Sequence, residues 1–121
     1  MSFICHNGHF LPAEAPHLSV STPAYKWGES LFETMKVIKG RILLQDFHFE
    51  RLFSSLPVLE MKLDVDAGEL VDFVKELCIK NNCLQAARVR LSVYRHSEQA
   101  TGWVIETTAL PLKNGIGNEQ P

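Results

Sequence analysis

Between Ala87 and Tyr94 the chain alternates without a break: Ala87, Val89, Leu91 and Val93 are apolar, and Arg88, Arg90, Ser92 and Tyr94 stand between them. Successive side chains of a strand point to opposite faces. This segment therefore needs an apolar layer on one side and a polar environment on the other, which is the signature of an antiparallel sheet covered on one face. Two helices can supply the cover. Phe49, Leu52, Phe53 and Leu56 follow the i, i+3, i+4, i+7 spacing of one buried stripe, and Leu70, Phe73, Val74, Leu77 and Cys78 form a second. Asp46 and Glu50 place negative charge near the start of the first helix, where the dipole favours it, and Pro57 ends or kinks that helix. Asp66 with Glu69 predicts a capping box for the second helix, with Asp where Ser or Thr is usual. Asn81-Asn82 marks its stop.

The remaining elements read as hairpins. Asn7-Gly8 predicts a turn pairing Ile4–His6 with His9–Leu11. Leu31 to Ile38 predicts a strand with Leu31, Glu33, Met35 and Val37 on one face and Phe32, Thr34, Lys36 and Ile38 on the other. Lys39-Gly40 then turns the chain into Arg41–Leu44. Thr22-Pro23 marks a loop, and another loop around His96–Gly102 leads to a strand over Trp103–Leu110. The expected fold is α+β: an antiparallel sheet with two helices packed on one face and a polar second face.

With 121 residues, 45% of them hydrophobic and 21% charged, the chain has material for one domain and one core. A formal charge of −2 provides no general attraction for nucleic acid or acidic membranes. No apolar run reaches the roughly 20 residues of a membrane helix, and Met1–His6 lacks the pattern of a secretory signal. Three cysteines make no disulfide framework. The expected location is the cytoplasm.

Two short segments carry the chemistry. Gly28-Glu29-Ser30-Leu31-Phe32-Glu33 precedes the hairpin, and His48-Phe49-Glu50-Arg51-Leu52 opens the helix after it. Arg51 follows His48 by three residues, so the two are neighbours on the helix surface, off the apolar stripe. A guanidinium can grip a phosphate through two parallel hydrogen bonds. By spacing alone an exposed helical arginine is ordinarily a solvated charge or an ion-pair partner.

The order of these segments resembles the small N-terminal domain of the class IV aminotransferases, the fold-type IV enzymes that use pyridoxal 5'-phosphate (PLP). In that family a Gly-Asp-Gly-(Leu/Val)-(Phe/Tyr)-Glu strand precedes a hairpin and a helix bearing His-x-x-Arg-Leu. The resemblance runs from about Phe3 to Pro111. It implies that Arg51 binds the PLP phosphate and that Phe32 and Glu33 lie on the substrate side of the cofactor cleft. Arg88, Arg90 and Arg95 are second-tier candidates, one of them for a substrate carboxylate, with Arg95 left open between that role and an ion pair. Arg88 and Arg90 share a strand face and are better read as cross-strand partners of Glu106. Glu29 and Ser30 depart from the family's Asp and second Gly; a serine at Ser30 is strained only if its φ is positive. Thr22-Pro23-Ala24 replaces the family's upstream Asp-Arg-Gly, and Phe32 has no hydroxyl to offer a substrate.

The seven lysines, Lys26, Lys36, Lys39, Lys62, Lys75, Lys80 and Lys113, include none at a position matching the family's catalytic lysine, which belongs to the second domain. Residues 1–112 are thus expected to form the small domain and 113–121 the start of an interdomain linker or a truncated tail. The chain by itself is expected to lack transamination activity. The resemblance implies a homodimer acting on an amino acid and a 2-oxo acid, with the large domain absent. Two alternatives stand beside an aminotransferase: an aminodeoxychorismate lyase of the same family, or a degenerate, non-catalytic module that binds a partner. His6 and His9 are expected to be surface residues, with no metal site around them, and Cys78 to pack in its helix.

Overall fold

The structure, a computed structural model, describes residues 2–14, 28–113 and 116–117. Trp27, Lys26 and the loop and departure expected at Thr22-Pro23-Ala24 lie outside the described residues. The elements are β1 (Phe3–His6), β2 (His9–Pro12), β3 (Ser30–Ile38), β4 (Arg41–Ile42), α1 (Gln45–Ser55), a 3₁₀ turn (Leu56–Leu59), α2 (Ala67–Lys80), β5 (Ala86–Ser97), β6 (Ala100–Ala109), β7 (Leu112–Lys113) and β8 (Ile116–Gly117). The first six strands in sheet order β2-β1-β6-β5-β3-β4 form one antiparallel sheet. β7 and β8 pair separately, in a tail whose composition suggests a linker.

Both helices cover one face. α1 packs on β3, and α2 packs on β1 and β6. The inward residues of β5 (Ala87, Val89, Leu91 and Val93) are fully buried and join Met35, Val37, Cys5 and Ile105 from the neighbouring strands. Phe49 and Leu52 from α1 and Leu56 from the 3₁₀ turn close that layer, with Leu70, Val74, Leu77 and Cys78 from α2. The period-two and period-3.6 stripes meet in a single core, as their patterns require.

Local chemistry sets the ends of the elements. The Asp66 carboxylate accepts from the Glu69 amide at 2.8 Å, and the Glu69 carboxylate accepts from the Asp66 amide at 3.1 Å, so Asp serves the capping box as Ser or Thr would. Asn81 caps the other end, and Asn82 adopts φ +55°. Pro57 stops α1 at Ser55, after which the chain tightens into the 3₁₀ turn. At the first hairpin Asn7 (φ +52°) and Gly8 (φ +88°) both take positive φ, the geometry of a two-residue turn. The Phe73 ring lies against Gly8, 3.4 Å from where a Cβ would stand.

Three expectations change. The strand after Lys39-Gly40 covers only Arg41–Ile42, because Leu43 and Leu44 turn the chain into α1. No long loop separates β5 from β6: their pairing continues through a register shift at Arg95/Ser97, and only Glu98 and Gln99 remain as the turn. Polar residues there sit on an exposed hairpin arm. Tyr94, assigned by alternation to the polar face, is buried. Its cross-strand partner is Gly102, and the ring lies over the position a side chain would take.

Candidate functional site

Glu33 is the buried charged residue of the described core, 6% exposed and flanked along β3 by apolar inward positions. A carboxylate there requires partners, and α1 supplies them. Arg51 Nε donates to Oε2 at 2.8 Å and Arg51 Nη2 donates to Oε1 at 2.8 Å, a two-pronged grip. His48 Nδ1 lies 2.7 Å from Oε1. An ionised carboxylate only accepts, so His48 carries its hydrogen on Nδ1 in this contact. The helical spacing of His48 and Arg51 puts both side chains over one carboxylate.

Burial pushes the Glu33 carboxyl up, but the hydrogen bonds from Arg51 and His48 and the Arg51 charge outweigh it, so its pKa falls below the ordinary value. The Arg51 pKa moves up, chiefly through the hydrogen bonds to Glu33. The Arg51 side chain is nonetheless 54% exposed. Glu33 uses Nε and Nη2, and Nη1 makes no hydrogen bond to any described residue. The guanidinium also stands 4.8 Å from the centre of the Phe47 ring. It is a cation held along one edge and open along another. Such a group fits a phosphate.

The other expected site residues separate. Phe32 and Glu33 are adjacent in the strand and therefore project from opposite faces of the sheet: Glu33 toward α1, and Phe32, 56% exposed, onto the uncovered face. The two therefore do not share a face, and the Glu33 carboxylate is taken up by Arg51 and His48. Arg90 stacks over the Phe32 ring at 4.4 Å. It stands opposite Glu106 in the register, yet the aromatic face, and not that carboxylate, is its observed partner. Arg88 lies opposite Lys36 on β3 and Thr108 on β6, away from Glu106. Arg95 Nε pairs with Glu29 at 3.1 Å and its Nη2 donates to the Leu59 carbonyl. Ser30 is not among the positive-φ residues; Gly28 is, at +67°, so Ser30 carries no backbone strain.

Two grooves mark the sheet's uncovered side. One of about 360 Å³ runs past Thr34, Arg88, Arg90 and Glu106 to the start of β1. The other, of about 400 Å³, lies between Lys36 and Arg88 on the sheet and Leu44, Phe47 and His48 at the start of α1. Lys36 carries no site signal in the sequence, and Arg88 is there a second-tier candidate read as a cross-strand partner of Glu106. The available signal is the cross-strand register, which alternation alone does not specify.

His6 is also more than a surface residue. Its Nε2 lies 2.5 Å from the Tyr94 hydroxyl, while Asn7 accepts from the Trp103 amide at 2.8 Å. Burial raises the Tyr94 pKa against a lowering hydrogen bond from Asn7. The three cysteines are buried free thiols. Burial pushes Cys5 to about 11, and burial together with Cys83 pushes Cys78 to about 12, which suits packing more than reactivity. Among the described residues no cluster of His, Cys, Asp and Glu is suited to a metal ion, and no helix is long and apolar enough to cross a membrane.

The chain and its fold have known relatives. The chain is 27% identical over 114 residues to a probable branched-chain-amino-acid aminotransferase of Aquifex aeolicus, covering 89% of this chain and 37% of that protein. It is 28% identical over 82 residues to the D-alanine aminotransferase of Staphylococcus haemolyticus, covering 68% and 29%. It is 30% identical over 88 residues to the aminodeoxychorismate lyase of Bacillus subtilis, covering 72% and 30%. The chain thus spans little more than a third, or less, of these relatives. The fold superposes on the branched-chain amino acid aminotransferase of Escherichia coli with a TM-score of 0.82 at 19% identity, over 92% of this chain and 40% of that one. A hypothetical aminotransferase from Mycobacterium tuberculosis, solved in a PLP-bound form, gives 0.73 at 21% identity, over 90% and 40%. The family model for amino-transferase class IV matches residues 30–119, which takes in β3, both helices and the β5–β6 hairpin. The chain belongs to the class IV aminotransferase family.

Proposed function

We propose that this chain forms the phosphate-holding part of a PLP-dependent site for amino-group transfer between an amino acid and a 2-oxo acid. One observation carries the reading: Arg51 is fixed by the buried Glu33 and His48 yet presents an unused guanidinium edge to solvent. Arg51 would bind the cofactor phosphate through that edge. Glu33 would keep the guanidinium from swinging between rotamers, and His48 would keep Glu33 in place. Such pre-orientation lowers the cost of ordering a long side chain when the anion binds. PLP, when bound, supplies the electron sink for bond changes at the substrate α-carbon. Phe32 would offer an apolar wall on the uncovered face. Arg95 is a weaker substrate ligand than the sequence suggests, because Glu29 and the Leu59 carbonyl already occupy it.

In this reading residues 1–112 act as a small domain and residues from 113 onward lead toward a large domain that supplies the catalytic lysine. The active form is a cytoplasmic homodimer, and the 121-residue chain alone does not turn over. The likeness to an aminodeoxychorismate lyase at 30% identity supports a second reading, in which the same phosphate grip serves pyruvate release.

The test compares PLP with pyridoxal, which lacks the phosphate. Arg51→Gln should weaken PLP binding about ten- to a hundredfold, the scale of charge-assisted hydrogen bonds, and leave pyridoxal binding unchanged. Equal PLP affinity in the variant and the parent would reject Arg51 as the anchor.

A further inference from the structure

We infer that Cys78 and Cys83 form an oxidation site, a dithiol that a low-molecular-weight disulfide converts into an internal disulfide at the end of α2. The residues leading out of that helix build it. Asn82 takes φ +55°, its amide donates to the Ile79 carbonyl at 3.1 Å, and the Cys83 amide donates to the Cys78 carbonyl at 2.9 Å. These are the two reverse bonds of a Schellman ending, with Asn where Gly is usual. Such an ending commonly presses an apolar side chain beyond the helix onto one in its last turn. Here both are cysteines, and their thiols are in hydrogen-bond contact. A bond of 2.9 Å between the two backbones leaves the α-carbons at most about 6.8 Å apart, inside the span that a disulfide accepts. Cys5, on β1, takes a hydrogen bond from the Gly8 amide instead.

Burial decides when the site reacts. Cys78 is fully buried and Cys83 nearly so, and burial together with the neighbouring thiol pushes Cys78 to about 12. The pair is therefore inert while the helix end is closed. Helix ends open locally at a small cost compared with the whole fold. Cys83 lies beyond the last helical residue, so opening frees it first. Its thiolate attacks one sulfur of the incoming disulfide and expels one thiolate. Cys78, deprotonated in turn, attacks the Cys83 sulfur of the mixed disulfide, forms the internal S–S bond and expels the second thiolate. Two protein thiols are oxidised, the small disulfide is reduced to two thiols, and the two cysteine protons end on the leaving thiolates. The product ties α2 to the connector before β5. That connector accepts from the Lys39 and Gly40 amides through the Gln85 and Leu84 carbonyls, and Asn81 beside it bonds Phe3 and Thr107. Oxidation thus fastens the corner where α2 meets the sheet. The site stands whether or not Arg51 holds a phosphate.

Incubation of the purified, native protein with oxidised glutathione tests the inference. Remaining thiols are alkylated, and the protein is cut with trypsin, which cleaves after Lys80 between the two cysteines, for mass mapping without reduction. The peptides carrying Cys78 and Cys83 should be joined within one chain, and Cys5 should be alkylated. Cys5→Ala should form the same bond, and Cys83→Ala should form no cross-link. In the oxidised protein, hydrogen exchange of the Asn82 and Cys83 amides should slow about tenfold, because the closed loop restrains the helix end. Thiols that stay unreacted in the native protein and react only in urea overturn the site, and so does a bond made through Cys5. Unchanged exchange at Asn82 and Cys83 overturns the fastening of the corner.

Discussion

Replacing Glu33 by glutamine keeps the shape of the buried clamp and removes its charge. Three donors converge on the two carboxylate oxygens, at 2.7, 2.8 and 2.8 Å. Glutamine has one acceptor oxygen, and its amide group would meet a donor at the other position. In the better orientation the oxygen faces His48 Nδ1 and Arg51 Nη2, while Arg51 Nε loses its partner and the half-exposed guanidinium takes up water. The His48 side chain is 12% exposed and has no such recourse. Its bond to Glu33 changes from a charge-assisted bond, worth about 1.5–3 kcal/mol, to a neutral one of about 0.5–1.5 kcal/mol. Glu33→Gln should therefore cost about 1–1.5 kcal/mol at neutral pH. Glu33→Leu, which leaves a buried donor unsatisfied, should cost about 1–3 kcal/mol. Urea unfolding followed by the fluorescence of the buried Trp103 measures both. The folded pKa of Glu33 is lowered. Its ionisation thus stabilises the fold fully above the unfolded carboxylate value, roughly 4.3, and the contribution disappears as pH falls through the folded value. The gap between parent and Glu33→Gln should close over that acidic range. A glutamine variant as stable as the parent at pH 7, or a gap that persists once Glu33 is protonated, would refute the reasoning.

Two further substitutions probe the frame around the site. A Cβ at Gly102 would overlap Cζ and Oη of Tyr94, so Gly102→Ala should destabilise by about 1–3 kcal/mol through overpacking; in a Tyr94→Val background the penalty should vanish in the same unfolding assay. Asp66→Ala removes one half of the capping box and should lower stability by about 0.5–2 kcal/mol, with faster amide hydrogen exchange confined to the first turn of α2.

How far the sequence reaches differs between fold and site. The helices are legible because each carries an unbroken stripe: Leu70 to Cys78 is buried where the 3.6 period places it. The β5 alternation likewise finds its core face. Boundaries are less legible. Polar residues at 96–99 look like a loop whether they form one or extend an exposed hairpin, and only the pairing of Ser97 with Ala100 decides between them. At the site, Arg51 can be picked out through the family resemblance, but the resemblance places Glu33 beside the substrate and not beside Arg51. Alternation puts Glu33 on the same face as Met35 and Val37, and a carboxylate among apolar residues demands a cation. The helix that follows the hairpin carries one permanent cation, Arg51, which meets that demand.

The sequence by itself determined that this chain has one dry and one wet sheet face, two covering helices and an arginine on the helix after the hairpin. Those follow from periodicity, which is local and survives without knowledge of partners. The tertiary structure decided which charges meet. Glu33 turns inward to His48 and Arg51 while Phe32, one residue earlier, turns outward to Arg90. Lys36 and Arg88, 52 positions apart in the numbering, come to stand side by side. Register is a property of two strands together, and a single strand's pattern is compatible with several registers that keep its apolar face inward.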